Sequence, residues 1–233
     1  MKVGIICAGD SEVAPFLPLI KDCSISEKAM LKFYSGTIEN VPVIVLFCGV
    51  CKTNAAIAAQ ILIDTYHCDA VINAGTAGGM NPYIKLFDTV ISTESAYWDV
   101  SKNILTEFHP WAKSVFWKAD PFLIETAKNI VSENNLQNIY FGRMITGEMF
   151  IEDEYRDKIN EDFAPLSVDM ETASIAHVCY VNHIPYIAVR TITDTAEHAG
   201  VDNFGRNCEK ASQIAAGIVK LLLQKLHQCF DLA

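Results

Sequence analysis

Between Val168 and Glu197 a turn, a helix and a buried strand follow one another with almost no chain between them, and this unit limits the fold more than any other stretch. Val168-Asp169-Met170-Glu171 reads as the turn and Thr172 to Val181 as an Ala-rich helix. Ile184 to Val189 then reads as an apolar strand that runs out into Arg190-Thr191-Ile192-Thr193-Asp194. A short strand without polar alternation is the kind buried on both faces of a sheet, so the unit predicts an α/β fold. Ligands of such sheets sit beyond the carboxyl ends of the strands, which makes Arg190 and Asp194 candidates for a binding site. Glu171 lies in the first helical turn. Asp169 and Glu171 equally suit a plain helix start, as a cap and as a carboxylate favoured by the macrodipole, and spacing alone leaves both readings open.

The rest of the chain extends this pattern. Val3 to Ala8 is another continuous apolar run, after which Gly9-Asp10-Ser11 supplies a turn and a helix cap. Glu12 falls just inside that helix, as a first-turn carboxylate or as a catalytic group. Met30 to Ile38 alternates and Val41 to Cys48 is apolar, a hairpin feeding the sheet. Beyond the turn Gly49-Val50-Cys51-Lys52, Thr53 to Tyr66 has helical spacing and Ala70 to Ala74 reads as a strand. Gly75-Thr76-Ala77-Gly78-Gly79 is then a glycine-rich turn at a strand's end, where backbone can approach a ligand closely. It lacks the G-x-G-x-x-G order, which disfavours a dinucleotide site. Asp88 to Asp99 reads as a strand, Ala119 to Asn134 as a helix, Ile139 to Ile145 as a strand, and Val201 to Cys229 chiefly as a helix from about Asn207. Ser101 to Lys118 has no clean period but holds Phe108, Pro110, Trp111, Phe116 and Trp117, either a loop that covers a site or one packed by its own aromatics.

Composition narrows the partners. The 233 residues, 51% of them apolar, suit a single domain over 1–233 with a sizeable core. Eighteen basic residues against 28 acidic ones give a formal charge of −10, which argues against nucleic acid. No apolar stretch reaches the length of a membrane span and no signal-type segment opens the sequence, so no membrane partner is expected and a cytoplasmic location is. Several of the eight cysteines sit inside apolar runs, as reduced thiols do. Cys48-Gly49-Val50-Cys51 has redox spacing but lacks the helix start of a thiol oxidoreductase, and nothing completes a metal site around it. Neither a metal nor a cofactor is expected.

Four separated stretches carry a resemblance: Met1-Lys2-Val3-Gly4-Ile5-Ile6 with Glu12-Val13; Asn73 to Gly79; Val168 to Ala173 with Ile175-Ala176-His177-Val178-Cys179; and Arg190 to Asp194. In order and spacing the chain resembles, nearly end to end, the bacterial 5′-methylthioadenosine/S-adenosylhomocysteine nucleosidases. The resemblance implies a three-layer α/β/α fold around a central mixed, twisted sheet, as in nucleoside phosphorylases. It implies hydrolysis of the N-glycosidic bond of an adenine nucleoside, with Asp194 as general acid and Glu12 as base for water, helped by Arg190 and Thr76. Glu171 and Met170 would bind the ribose, Phe150 and the backbone of Ile151 the adenine, with Gly78 and Val50 completing the pocket. Phe108, Pro110 and Trp111 would cap the pocket of a partner subunit in a homodimer. Gly9, Asp10, Ser11, Thr76 and Tyr97-Trp98-Asp99 depart from the commonest family residues.

Two rivals share the fold. A phosphorylase needs clustered cations for its dianionic co-substrate, yet the arginines are Arg143, Arg156, Arg190 and Arg206, and neither Gly9 to Glu12 nor Asn73 to Gly79 holds one. A protein that only binds nucleosides would be expected to lack Glu12 or Asp194, and both are present. A thiol-redox protein built on Cys48 and Cys51 is a distant third reading.

Overall fold

The structure is a computed structural model that describes residues 1–109, 111–151, 153–196 and 201–231. Ten strands form one mixed sheet: β1 (Val3–Cys7), β2 (Lys21–Lys28), β3 (Leu31–Ile38), β4 (Val41–Phe47), β5 (Ala70–Gly79), β6 (Thr89–Tyr97), β7 (Trp117–Lys118), β8 (Ile139–Thr146), β9 (Ser167–Asp169) and β10 (Tyr186–Asp194). Seven α-helices accompany them among the described residues: α1 (Asp10–Val13), α2 (Lys52–Asp64), α3 (Lys102–Glu107), α4 (Pro121–Glu133), α5 (Asp153–Phe163), α6 (Thr172–Val181) and α7 (Val201–Asp231).

The sheet partly closes on itself. β5 pairs with β1, β9 and β10, and β10 continues through β6 and β8 back to β9, so five strands form a ring from which β1, β4, β3 and β2 extend as an open wing. The apolar runs are explained by what lies on each side. In β1, Ile6 joins the core under α2 and α6, while Val3, Ile5 and Cys7 join the core under α4 and α7. In β10, Ala188 and Ile192 face the first core, and Ile187 and Val189 the second. Successive side chains of a strand point to opposite faces, so a strand between two helical layers must be apolar throughout. Helix starts follow local chemistry: at α4 the Asp120 carboxylate accepts from the backbone N–H of Phe122 and Leu123, with Pro121 at the first helical position.

Several predicted boundaries move. Gly75 to Gly79 is not a turn but the second half of β5, paired with Arg190 to Asp194 of β10 and with β9. Its small residues belong in a strand because neighbouring side chains occupy the space that theirs would take. β10 likewise runs to Asp194, past the apolar stretch, where Ile192 still packs in the core and Arg190, Thr193 and Asp194 line a cavity. The helix after β1 has only four residues, with Gly9 at its cap position and no side-chain cap. α7 starts at Val201, earlier than its apolar spacing indicates. Ser101 to Lys118 contains α3 and β7, and Trp117 is buried there. β2, exposed along its whole length, and the polar α5 carry too few apolar residues to be read from pattern.

Candidate active site

Where β1, β4, β5, β8 and β10 end, their connections enclose a cavity of about 270 Å³. Glu12, Val50, Thr76, Gly78, Phe150, Ile151, Met170, Glu171, Arg190 and Asp194, distant in sequence, all line it. β5 and β10 lie side by side in parallel, with Arg190 opposite Gly75 and Asp194 opposite Gly78, which sets two strand ends and their charges at one rim.

Arg190 is fully buried and is the hub of the charged groups. Its Nη2 donates to Glu171 Oε2 at 2.8 Å, its Nη1 to the Thr76 carbonyl at 3.1 Å, and its Nε to Asn73 Oδ1 at 3.1 Å. Glu12 and Asp169 approach it to 3.5 and 3.4 Å. Burial alone would lower the Arg190 pKa, but Asp169, Glu12 and Glu171 outweigh it and hold the guanidinium above its usual value, permanently charged. One guanidinium faces three carboxylates, and all four side chains are buried, so carboxylates outnumber the cation in the group.

Glu12 is held from its own turn and from β5. Its Oε2 accepts from the Ala8 N–H at 2.6 Å, and its Oε1 from both the N–H and the hydroxyl of Thr76 at 2.7 Å. This is possible only beside glycine: at Gly75, with φ +155°, a Cβ would lie 2.4 Å from the Glu12 carboxyl carbon. The two readings left open for Asp169 and Glu171 divide between them. Asp169 is the cap, since its Oδ1 accepts from the N–H of Glu171 and of Thr172. Glu171 caps nothing through its side chain and points into the cavity, where Oε1 accepts from the Cys51 N–H at 3.0 Å. Burial pushes the Glu171 carboxyl above the usual carboxylate range and Asp169 and Glu12 add to this, against the pull of Arg190.

Asp194 stands apart from that network. Its Oδ1 accepts from the Thr193 hydroxyl at 2.7 Å. Burial raises its pKa, and the Thr193 hydrogen bond and the charge of Arg156 offset the rise only in part, so its protonated form is favoured beyond that of an ordinary aspartate. Phe150 lines the cavity, half exposed, and stands edge to face with Phe204 of α7, ring centroids 6.0 Å apart.

Among the lining residues that the sequence did not single out, three have long or aromatic side chains. Arg156 sits in the polar run of α5, which reads as solvent-facing. Phe204 precedes the predicted start of the last helix, and Met149 has no period to place it. The aromatic segment lies elsewhere. Phe108 is 73% and Trp111 55% exposed, and neither lines the cavity of its own chain; Pro110 falls outside the described residues. The Trp111 carbonyl accepts from the Tyr180 hydroxyl of α6 at 2.8 Å, which ties the segment to that helix. Cys48 is buried, its thiol donating to the Gly49 carbonyl, and burial pushes its pKa up to about 12; Cys51 rises to about 11 for the same first cause. Neither thiol is disposed to form the thiolate that redox exchange needs.

A family profile described as the Phosphorylase superfamily matches residues 2–224. A 5′-methylthioadenosine/S-adenosylhomocysteine nucleosidase of Exiguobacterium sp. is 33% identical over 232 residues, 98% of this chain and 100% of that protein. Among solved structures, a nucleosidase of the same name from Colwellia psychrerythraea, in complex with adenine, is 31% identical with a TM-score of 0.87, covering 97% of this chain and 96% of its own. Another from S. pneumoniae, with a transition-state inhibitor, is 26% identical with a TM-score of 0.88, covering 97% and 100%. Matched along nearly its whole length in sequence and in fold, this chain belongs to the Phosphorylase superfamily and, within it, to the 5′-methylthioadenosine/S-adenosylhomocysteine nucleosidase family.

Proposed function

We propose that this chain is an N-glycosidase that hydrolyses 5′-substituted adenine nucleosides such as 5′-methylthioadenosine and S-adenosylhomocysteine to adenine and the 5′-substituted ribose. The observation that carries the mechanism is the division of charge in the cavity: an anionic Glu12–Arg190–Asp169–Glu171 group on one side and a burial-raised Asp194 on the other. As the C1′–N9 bond breaks, the sugar gains oxocarbenium character and the base gains electrons. Asp194 gives its proton to the imidazole-ring nitrogen of adenine, which leaves neutral. Glu12, oriented by Thr76 and Ala8, takes a proton from the water whose oxygen bonds to C1′. Glu171 accepts from the ribose hydroxyls beside Met170, and the excess negative charge lowers the energy of the cationic sugar. Phe150 stacks on the purine, whose edge bonds to the backbone of Ile151, with Gly78 and Val50 shaping the pocket. No cofactor takes part.

Water is favoured over phosphate as nucleophile because Arg190 is committed to three carboxylates, and Glu12 would meet an incoming dianion with like charge. Incubation of the purified protein with 5′-methylthioadenosine, S-adenosylhomocysteine and 5′-deoxyadenosine, each with and without phosphate, is expected to release adenine and free sugar at a rate phosphate leaves unchanged. A ribose 1-phosphate product overturns hydrolysis, and no adenine from any of them overturns catalysis.

Phe108 and Trp111, large and exposed, would with Pro110 cross a two-fold interface and cap the partner's pocket at the 5′ end of the nucleoside. Trp111→Ala is then expected to weaken binding of nucleosides with long 5′ substituents several-fold more than that of adenine. Equal losses for both, or sedimentation of the parent only as monomer at micromolar concentration, would count against the dimer. The chain would act as one domain in the cytoplasm, on a small nucleoside and not on nucleic acid or a membrane. Among the described residues no helix is long and apolar enough to cross a bilayer.

A further inference from the structure

Arg156 has no part in the mechanism above, yet its guanidinium stands in the same cavity as Asp194. It is carried by the first turn of α5, where the helix dipole disfavours a cation, and it is buried, so its position is not explained by the stability of that helix. Nη1 donates to the Gly79 carbonyl at 2.8 Å and lies 3.4 Å from Met80 Sδ. Nε is buried with no hydrogen-bond partner among the described residues. Gly79 follows Gly78, which is paired with Asp194 across β5 and β10, and a Cβ at Gly78 would come within 3.0 Å of Asp194 Oδ2. The guanidinium is therefore anchored on Gly79, the chain neighbour of the residue that pairs with Asp194. Its charge reaches Asp194 through space.

We infer that Arg156 is a positioning residue that sets how readily Asp194 releases its proton and that stabilises the carboxylate left once adenine has taken it. The inference rests on Asp194 as the acid. Burial favours the protonated carboxyl needed before the reaction; a cation nearby favours the ionised one produced by it, so the two oppose each other and keep the acid transferable. The remaining ionisable groups that line the cavity among the described residues are Glu12, Asp169, Glu171 and Arg190, and they are bound to one another, which leaves Arg156 as the cation free to act on Asp194.

The test is the pH dependence of kcat and kcat/KM for adenine release by the parent, Arg156→Met, Arg156→Gln, Arg156→Lys and Asp194→Asn. Without the cation Asp194 holds its proton to higher pH, so Met and Gln should shift the alkaline limb upward. The weaker acid should lower the plateau of kcat about tenfold. Lys should leave the limb in place. Gln keeps a donor for Gly79, so the result stands even if the Met variant fails to fold. An unmoved limb in a folded neutral variant, with Asp194→Asn inactive, overturns the inference and leaves Asp194 as the acid. An Asp194→Asn variant as active as the parent removes that role and the inference with it.

Discussion

Asp194→Asn is expected to lower the rate of adenine release by roughly 100- to 10,000-fold while leaving nucleoside affinity within a few-fold of the parent. The amide fills the same space beside Gly78 and still accepts from the Thr193 hydroxyl, so the cavity keeps its shape. What it lacks is a proton to give. Asp194 suits that task because burial favours its protonated form and because it stands outside the ion pairs that fix the other carboxylates on Arg190. Single-turnover release, with calorimetric binding of the same nucleoside, separates the two quantities. Release near the parent rate would place the proton donor elsewhere, and loss of binding in parallel with rate would make Asp194 a binding residue only.

The fold was legible in the sequence wherever burial imposed a pattern. Val3 to Cys7, Val41 to Phe47 and Tyr186 to Val189 lie between two helical layers, so their apolar runs could be read directly, and α6 falls on the predicted Thr172 to Val181. It was illegible where a segment answers to other constraints. Gly75 to Gly79 looks like a turn by composition, yet it is a strand whose missing side chains make room for Glu12 and Asp194. No local pattern encodes a neighbour brought in from 64 residues away, as Glu12 is to Thr76. The same holds for the site. Glu171 and Asp169 were indistinguishable as helix-start carboxylates, because which of them caps and which enters the cavity depends on Arg190 and Cys51, not on their spacing. Arg156 was hidden for the opposite reason: a polar stretch such as Tyr155 to Lys158 resembles a solvated helix face, and only the docking of α5 over Gly79 turns one of its charges inward.

The second large effect concerns charge. Glu12, Asp169 and Glu171 surround a single guanidinium, and all four side chains are nearly excluded from water. In a low-dielectric enclosure this excess of negative charge has little to gain from a neutral nucleoside and much from a sugar that carries positive charge, so its stabilisation is realised mainly as the glycosidic bond breaks. Glu171 sharpens the effect, since a carboxyl held toward neutrality by burial, with Asp169 and Glu12 adding to it, becomes easier to ionise when a cation arrives. The most direct measurement uses two inert 5′-methylthio adenine analogues of matched shape, one with a protonated pyrrolidine in place of the ribose and one with a neutral cyclopentane, titrated calorimetrically into the parent protein near pH 7. The cationic analogue is expected to bind at least about 100-fold more tightly. Equal affinity, or preference for the neutral ring, would contradict a cavity built to stabilise a cationic sugar.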